Sequence, residues 1–339
     1  MDINLEPITP EEAVEWYVRD KEAEYAESTL KAHKSRLGHF LRWCAQNDIA
    51  NMNDLTGRAL HRYRIWRRDD GDLNRVSEKT QMGSIRVFIE WAESIDAVEP
   101  DLSTKVTSPS LSKGDDVSNA MVDAEQAEKI LDYLNQFEYA SERHVAFRLM
   151  WRAALRRGSI VALDVPDYDR DEQSLEILHR PDLGSPLKNK KHGERLIGLT
   201  SETCDILDAW IENHRPDVAD EFGRNPLISS PYGRVHPTTV QNWVYSLTRP
   251  CLVENRCPHG EEISQCEAAI DRTKAFQCPS SLSPHPVRRG ALTHWLSEDL
   301  PESFAVSRAN VSPEILSAHY DRRSQRKKMS QRRKYLDDF

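Results

Sequence analysis

Apolar residues recur at helical spacing along most of the chain and alternate in only two short stretches. Thr9-Pro10-Glu11-Glu12 has the form of a helix start, with Thr9 capping, Pro10 at the first helical position and Glu12 closing a capping box. It predicts a first helix to about residue 26. After Ser28, Leu30, Leu37, Phe40, Leu41 and Cys44 fall on one stripe, which predicts an amphipathic helix over 29–46, ended by Asn47-Asp48. A third helix from about Thr56 interleaves Arg58, Arg62, Arg64, Arg67 and Arg68 with Tyr63, Ile65 and Trp66, so one element can both pack and grip phosphates. A fourth, over 77–91, turns Ile85, Phe88, Ile89 and Trp91 toward a core and leaves Lys79 and Arg86 outside. Four helices without a strand predict a compact bundle.

Residues 101–120 are rich in Ser, Thr, Pro, Lys, Gly and Asp with little apolar periodicity, which predicts an extended linker. The second part has helical patterns through Ala154, two strand candidates at 174–179 and 195–199 around a polar turn, and further helices to the end. A chain of 339 residues exceeds the usual single-domain size. The expected division is a helical DNA-binding domain over 1–105, a linker over 106–120 and a catalytic domain over 121–339, mainly α with a small antiparallel β-sheet.

Charge and composition refine this picture. The formal net charge of −9 argues superficially against DNA as a partner, but net charge does not say where charges sit. Arg outnumbers Lys 32 to 14 among dispersed acids, a balance similar to that of proteins from salt-loving archaea. At molar salt the screening length is about 3 Å, so acidic patches would repel DNA little. No run approaches the roughly 18 apolar residues of a membrane helix, and no signal segment opens the chain. A soluble, cytoplasmic, nucleoid-associated protein is expected.

The chemistry is concentrated in four segments. Ala153-Ala154-Leu155-Arg156-Arg157-Gly158-Ser159 leads into an apolar helix and places Arg156 among apolar neighbours, where a guanidinium needs an anion. Leu187-Lys188-Asn189-Lys190-Lys191-His192-Gly193-Glu194-Arg195 fills the turn between the two strands. Ser283-Pro284-His285-Pro286-Val287-Arg288 sets His285 and Arg288 on one face at a helix start, which suits an anion and proton transfer. Val311-Ser312-Pro313-Glu314-Ile315-Leu316-Ser317-Ala318-His319-Tyr320 ends in a tyrosine 32 residues past Arg288. A phenol with a pKa near 10 becomes a nucleophile only beside cations, which Arg156 and Arg288 would supply.

In this order the segments resemble those of tyrosine recombinases of the phage-integrase and Xer type, over about 145–200 and 280–325. The resemblance implies Tyr320 as nucleophile, Arg156 and Arg288 as phosphate clamp, His285 as proton-transfer group, and a β-turn lysine protonating the leaving oxygen. Lys188 is the first choice for that lysine and Lys190 the second. It also implies a C-shaped grip on double-stranded DNA and a homotetramer on paired sites, with a monomer possible without DNA. Neither a nucleotide nor a metal is needed for the reaction, because a phosphotyrosine stores the cleaved bond. Two positions depart from the family pattern: Ser159 replaces the usual acid, and Val311, beside Asn310, replaces a His or Trp nine residues before the tyrosine. These departures leave open a non-cleaving DNA-binding protein of the same fold, and a type IB topoisomerase is the rival enzyme.

Two features stand outside the resemblance. Cys251, Cys257, Cys266 and Cys278 cluster in an insertion at about 250–280, where four thiolates would bind one structural zinc, with His259 a fifth possible ligand and free thiols the alternative. Residues 322–334 hold eight Arg or Lys, with Met329, Tyr335 and Leu336 as possible anchors for a neighbouring protomer, the chain itself or DNA.

Overall fold

The computed structural model describes residues 5–112, 114, 115 and 118–333; Lys334, Tyr335 and Leu336 lie outside them. Contacts divide the chain into two units, with the cut between residues 117 and 118. No helix among the described residues is long and apolar enough to cross a membrane.

The first unit holds α1 (Pro10–Lys21), α2 (Glu27–Gln46), α3 (Gly57–Asp70) and α4 (Arg75–Glu93). The capping box forms: Glu12 N donates to Thr9 Oγ1 at 3.2 Å while Thr9 N donates to Glu12 Oε2 at 3.2 Å. The first helix stops at Lys21 rather than near residue 26, because the residues beyond it bury nothing that would extend the stripe. Tyr17, Leu37, Phe40, Tyr63, Phe88 and Ile89 fill the core, and their rings meet largely edge to face. The start of the expected linker is not extended: Leu102–Lys105 forms a helical turn, and Leu102 and Val106 are buried in this core. Apolar anchors this sparse escaped a periodicity reading.

The second unit begins with α5 (Ala124–Phe137), α6 (Glu142–Arg152) and α7 (Arg157–Ala162). Strands β1 (Tyr168–Asp169), β2 (Ser174–Ile177) and β3 (Arg195–Gly198) form an antiparallel sheet in that order, pairing Leu175 with Ile197 and Ile177 with Arg195. The strand alternation holds, since Leu175, Ile177 and Ile197 are buried and Glu176 and Leu196 exposed. After α8 (Ser201–Ala209), a second hairpin, β4 (Ser229–Ser230) with β5 (Gly233–Arg234), is too short to leave a pattern in the sequence. Then come α9 (Pro237–Leu247), short α10 (Pro250–Val253) and α11 (Glu267–Ile270), α12 (Pro284–Ser297), α13 (Glu302–Ala309), α14 (Pro313–Ile315) and α15 (Gln325–Arg333).

Helix α12 is the spine of this unit. Ala291, Leu292 and Leu296 are fully buried, and Val122 N donates to Pro286 O at 3.2 Å. That strand-like contact requires a glycine: a Cβ at Gly290 would lie 1.7 Å from Val122 O and 3.0 Å from the Trp151 ring. The β2–β3 connection is anchored at its base by Arg180, which pairs with Asp167 and Asp164.

Candidate active site

Tyr320 is delivered by a widened last turn after α14, in which Asp321 N bonds five residues back to Leu316 O at 2.8 Å. Its side chain is 4% exposed, and Thr293 Oγ1 donates to its carbonyl. The ring centroid lies 5.4 Å from that of His285, edge to face, and 5.5 Å from the guanidinium carbon of Arg288. The nucleophile expected from the sequence thus stands against two of the expected residues of its own chain.

Arg156 caps the start of α7, and Arg288 lies four residues past the first residue of α12. Neither has a carboxylate partner among the described residues. Arg156 Nη2 donates to Asn310 O at 3.0 Å. Arg288, 1% exposed, donates to Ala154 O and, at 2.6 Å, to Ala309 O. A third guanidinium, which sequence reasoning did not single out, joins them: Arg195 donates to Arg308 O at 2.8 Å and to Gly193 O at 2.7 Å. Three consecutive carbonyls at the C-terminal end of α13, residues 308–310, therefore each accept from a different arginine. The negative end of a helix dipole suits such a role.

Crowding these cations together weakens their hold on protons. Burial, with the charge of Arg156 beside it, lowers Arg288 to about 10, and burial with Arg156 and Arg308 lowers Arg195 to about 10. Both remain charged at neutral pH. Arg288 Nε and Arg195 Nη2 are buried and have no hydrogen-bond partner among the described residues. A positively charged recess whose arginines Arg156, Arg195 and Arg288 pair with no acid among the described residues is suited to a phosphodiester.

His285 sits at the mouth of this recess. Its edge is open to solvent, yet the surrounding protein desolvates the charged form, and Arg289, Arg288, Lys188 and Arg156 repel it, bringing its pKa down to about 4. The imidazole is neutral at physiological pH and can accept a proton. Arg289, its neighbour, is buried and donates to His319 O at 2.8 Å, tying α12 to the tyrosine turn.

The lysine turn brings its two candidates to different surroundings. Lys188 is exposed and close enough for its charge to act on His285. Lys190 is also exposed, in a left-handed conformation with φ 50°. The turn is tied to α13 through Asn310, which donates to His192 O at 2.6 Å and accepts from the Asn189 side chain. Val311 is buried in the core, and Ser159 is buried in α7.

The four-sulfur zinc site expected from the sequence finds no support among the described residues. Cys251, Cys257, Cys266 and Cys278 are half-buried free thiols that line one cavity of about 480 Å³ with His259. Among the described residues, no three His, Cys, Asp or Glu side chains are grouped so as to hold a metal ion. The cysteines stand on α10, at the start of α11 and in the turns around them, and burial pushes the Cys251 thiol up.

In the first unit the basic residues separate. Arg58, Arg62, Arg68, Lys79 and Arg86 are exposed. Arg64 is half-buried and bonded to Glu78 at 2.6 Å and to Thr107. Arg67 does not belong with the exposed set: it is 5% exposed, donates to Gln81 at 2.8 Å and faces Asp70. Its place on the inner side of α3, against α4, makes it a packing residue.

No family model matches the chain. A curated relative, tyrosine recombinase XerC of Corynebacterium efficiens, is 20% identical over 274 residues, covering 80% of this chain and 73% of that protein. Among solved structures, the Tn1549 transposon integrase in complex with transposon right end DNA superposes with a TM-score of 0.64 at 12% identity, covering 98% of this chain and 99% of that one. A lambda integrase dimer bound to a COC′ core site gives a TM-score of 0.64 at 12% identity, covering 93% and 77%. The mainly helical fold with its small antiparallel sheet is the integrase fold. The chain is thus similar in sequence to a tyrosine recombinase over most of its length and has the fold of the integrases.

Proposed function

We propose that this chain is a site-specific DNA recombinase that cuts and rejoins DNA strands through a 3′-phosphotyrosyl bond to Tyr320. The observation that carries this reading is the packing of the buried Tyr320 phenol against Arg288, which has no carboxylate partner among the described residues. In the cleavage step the Tyr320 oxygen forms a bond to phosphorus while its proton passes to neutral His285. Arg156 and Arg288 hold the non-bridging oxygens, whose charge grows in the transition state. The bond from phosphorus to the 5′ oxygen breaks, and Lys188 gives that oxygen a proton. Rejoining is the reverse, with a 5′-hydroxyl attacking the phosphotyrosine. Lys188 is preferred over Lys190 because its charge reaches His285.

The partner is double-stranded DNA, bound by the exposed arginines of the first unit as well as by the arginine recess, and the working assembly is a homotetramer on paired sites. Retention of both arginines and of the tyrosine in one recess disfavours the non-cleaving reading. The test mixes wild-type and Tyr320→Phe protein with fragmented genomic DNA of the source organism at high salt, traps covalent complexes with detergent and sequences what is captured. Capture of defined fragments by wild type alone is expected. Reversible binding without covalent capture by either protein would overturn the enzyme and leave a DNA-binding protein.

A further inference from the structure

The turn that carries Lys188 is exposed, so something must hold it against the recess. At its base it is bonded to His179 and Arg224; toward the recess its ties run to the C-terminal end of α13. Asn310 Nδ2 donates to His192 O at 2.6 Å, and Asn189 Nδ2 donates to Asn310 Oδ1. Arg195 bridges Gly193 O and Arg308 O. The same three residues, 308–310, accept from Arg195, Arg288 and Arg156. Asn310 is the only one of them that bonds on both sides, its carbonyl to Arg156 and its side chain to the lysine turn.

Asn310 also has the one conformation that permits this. It ends α13 with φ 49° and ψ 67°, in the left-handed region that Gly and Asn occupy most readily. Glycine would keep that backbone but has no amide. Aspartate would keep the size but has no N–H for His192 O. An asparagine meets both demands with one side chain.

We infer that Asn310 is a positioning residue that locks the lysine turn onto the arginine platform, so that Lys188 reaches the leaving 5′ oxygen only while the Asn310 amide holds Asn189 and His192. The inference rests on the reading of Lys188 as proton donor, and deepens it by naming what places the donor.

Two measurements test it. Hydrogen exchange in the DNA-free protein compares wild type with Asn310→Gly and Asn310→Asp. Faster exchange over 185–194, with α12 unchanged, is expected for both variants. Single-turnover cleavage is then followed on a duplex carrying the captured target sequence, made with either oxygen or sulfur at the 5′ bridging position. A thiolate leaves without a proton, so sulfur bypasses the donor. A general acid supplies about 10²–10⁴-fold, and we expect Asn310→Gly to lose at least ~10-fold of it on the oxygen duplex and to regain near wild-type cleavage on the sulfur duplex. Lys188→Ala is the control and should be rescued in the same way. Unchanged exchange over 185–194, wild-type cleavage of the oxygen duplex by Asn310→Gly, or an equal loss on both duplexes would overturn the inference while the control stood. Failure of sulfur to rescue Lys188→Ala would instead overturn the donor reading on which the inference rests.

Discussion

His285 owes its usefulness to its neighbours. An isolated imidazole is half-protonated near 6.5, whereas desolvation and the charges of Arg289, Arg288, Lys188 and Arg156 bring this one to about 4. The neutral form is therefore present throughout the physiological range, and protonation sets in only as the pH falls toward 4. An NMR titration of the DNA-free protein, with the resonance assigned by its absence in His285→Gln, should show a midpoint close to 4. Bound DNA phosphate, being anionic, should move it upward. A midpoint near 6.5 in the free protein would mean that the recess is far wetter than its packing implies. At this scale the sequence was informative about residues that work through their side chains. Arg156, His285, Arg288 and Tyr320 stood in segments whose residue types and spacing announced phosphate chemistry, and the fold brings them together. Arg195 and Asn310 were passed over because their contacts run through backbone carbonyls and a left-handed cap, which leave no mark in composition or period. The cysteines do converge on one cavity, but among the described residues no three ligands are grouped closely enough to hold a metal.

Among the elements, α12 bears the tightest constraint. It lies so close to the start of the second unit that Gly290 meets the Val122 carbonyl where a Cβ would stand. Gly290→Ala must therefore push α12 away from Val122 and Trp151, and overpacking of this kind costs about 1–3 kcal/mol. A lowered melting temperature is expected, together with slower covalent capture, since the same helix carries His285 and Arg288; unchanged values in both would show that the contact yields freely. Helix starts were legible at the side-chain caps Thr9 and Thr56, whereas the Asn74 cap of α4 was missed and that helix begins two residues before the expected Ser77. They were not legible where tertiary contact decides, as in the turn at Leu102–Lys105 or the two-residue strands β4 and β5.

Over the whole molecule, a formal charge of −9 coexists with exposed arginines in the first unit and a cluster of buried and half-buried arginines in the second. Binding to DNA should accordingly be governed by local phosphate contacts. Each of Arg58→Ala, Arg62→Ala and Arg68→Ala should weaken DNA binding in a gel-shift or fluorescence titration and reduce the slope of log K against log salt by up to ~0.9. Arg67→Ala should leave that slope unchanged and lower the stability of the first unit, because its guanidinium is spent on Gln81 and Asp70. An unaltered slope for all three exposed variants would remove α3 from the interface. The helical first unit, the small sheet and the helical remainder were readable from period alone; how the second unit's distant segments meet required the fold.

The carbonyl row at residues 308–310 makes the arrangement of the arginines unusually tolerant of sequence drift. Main-chain oxygens are present whatever side chain follows them, so in a saturation mutagenesis profile the aligning contacts would be nearly silent at position 308. They would register at Ala309 only through its buried methyl, and sharply at Asn310, where side chain and backbone are both engaged. A catalytic geometry can in this way be inherited through the shape of a helix end, with little trace at the positions that impose it.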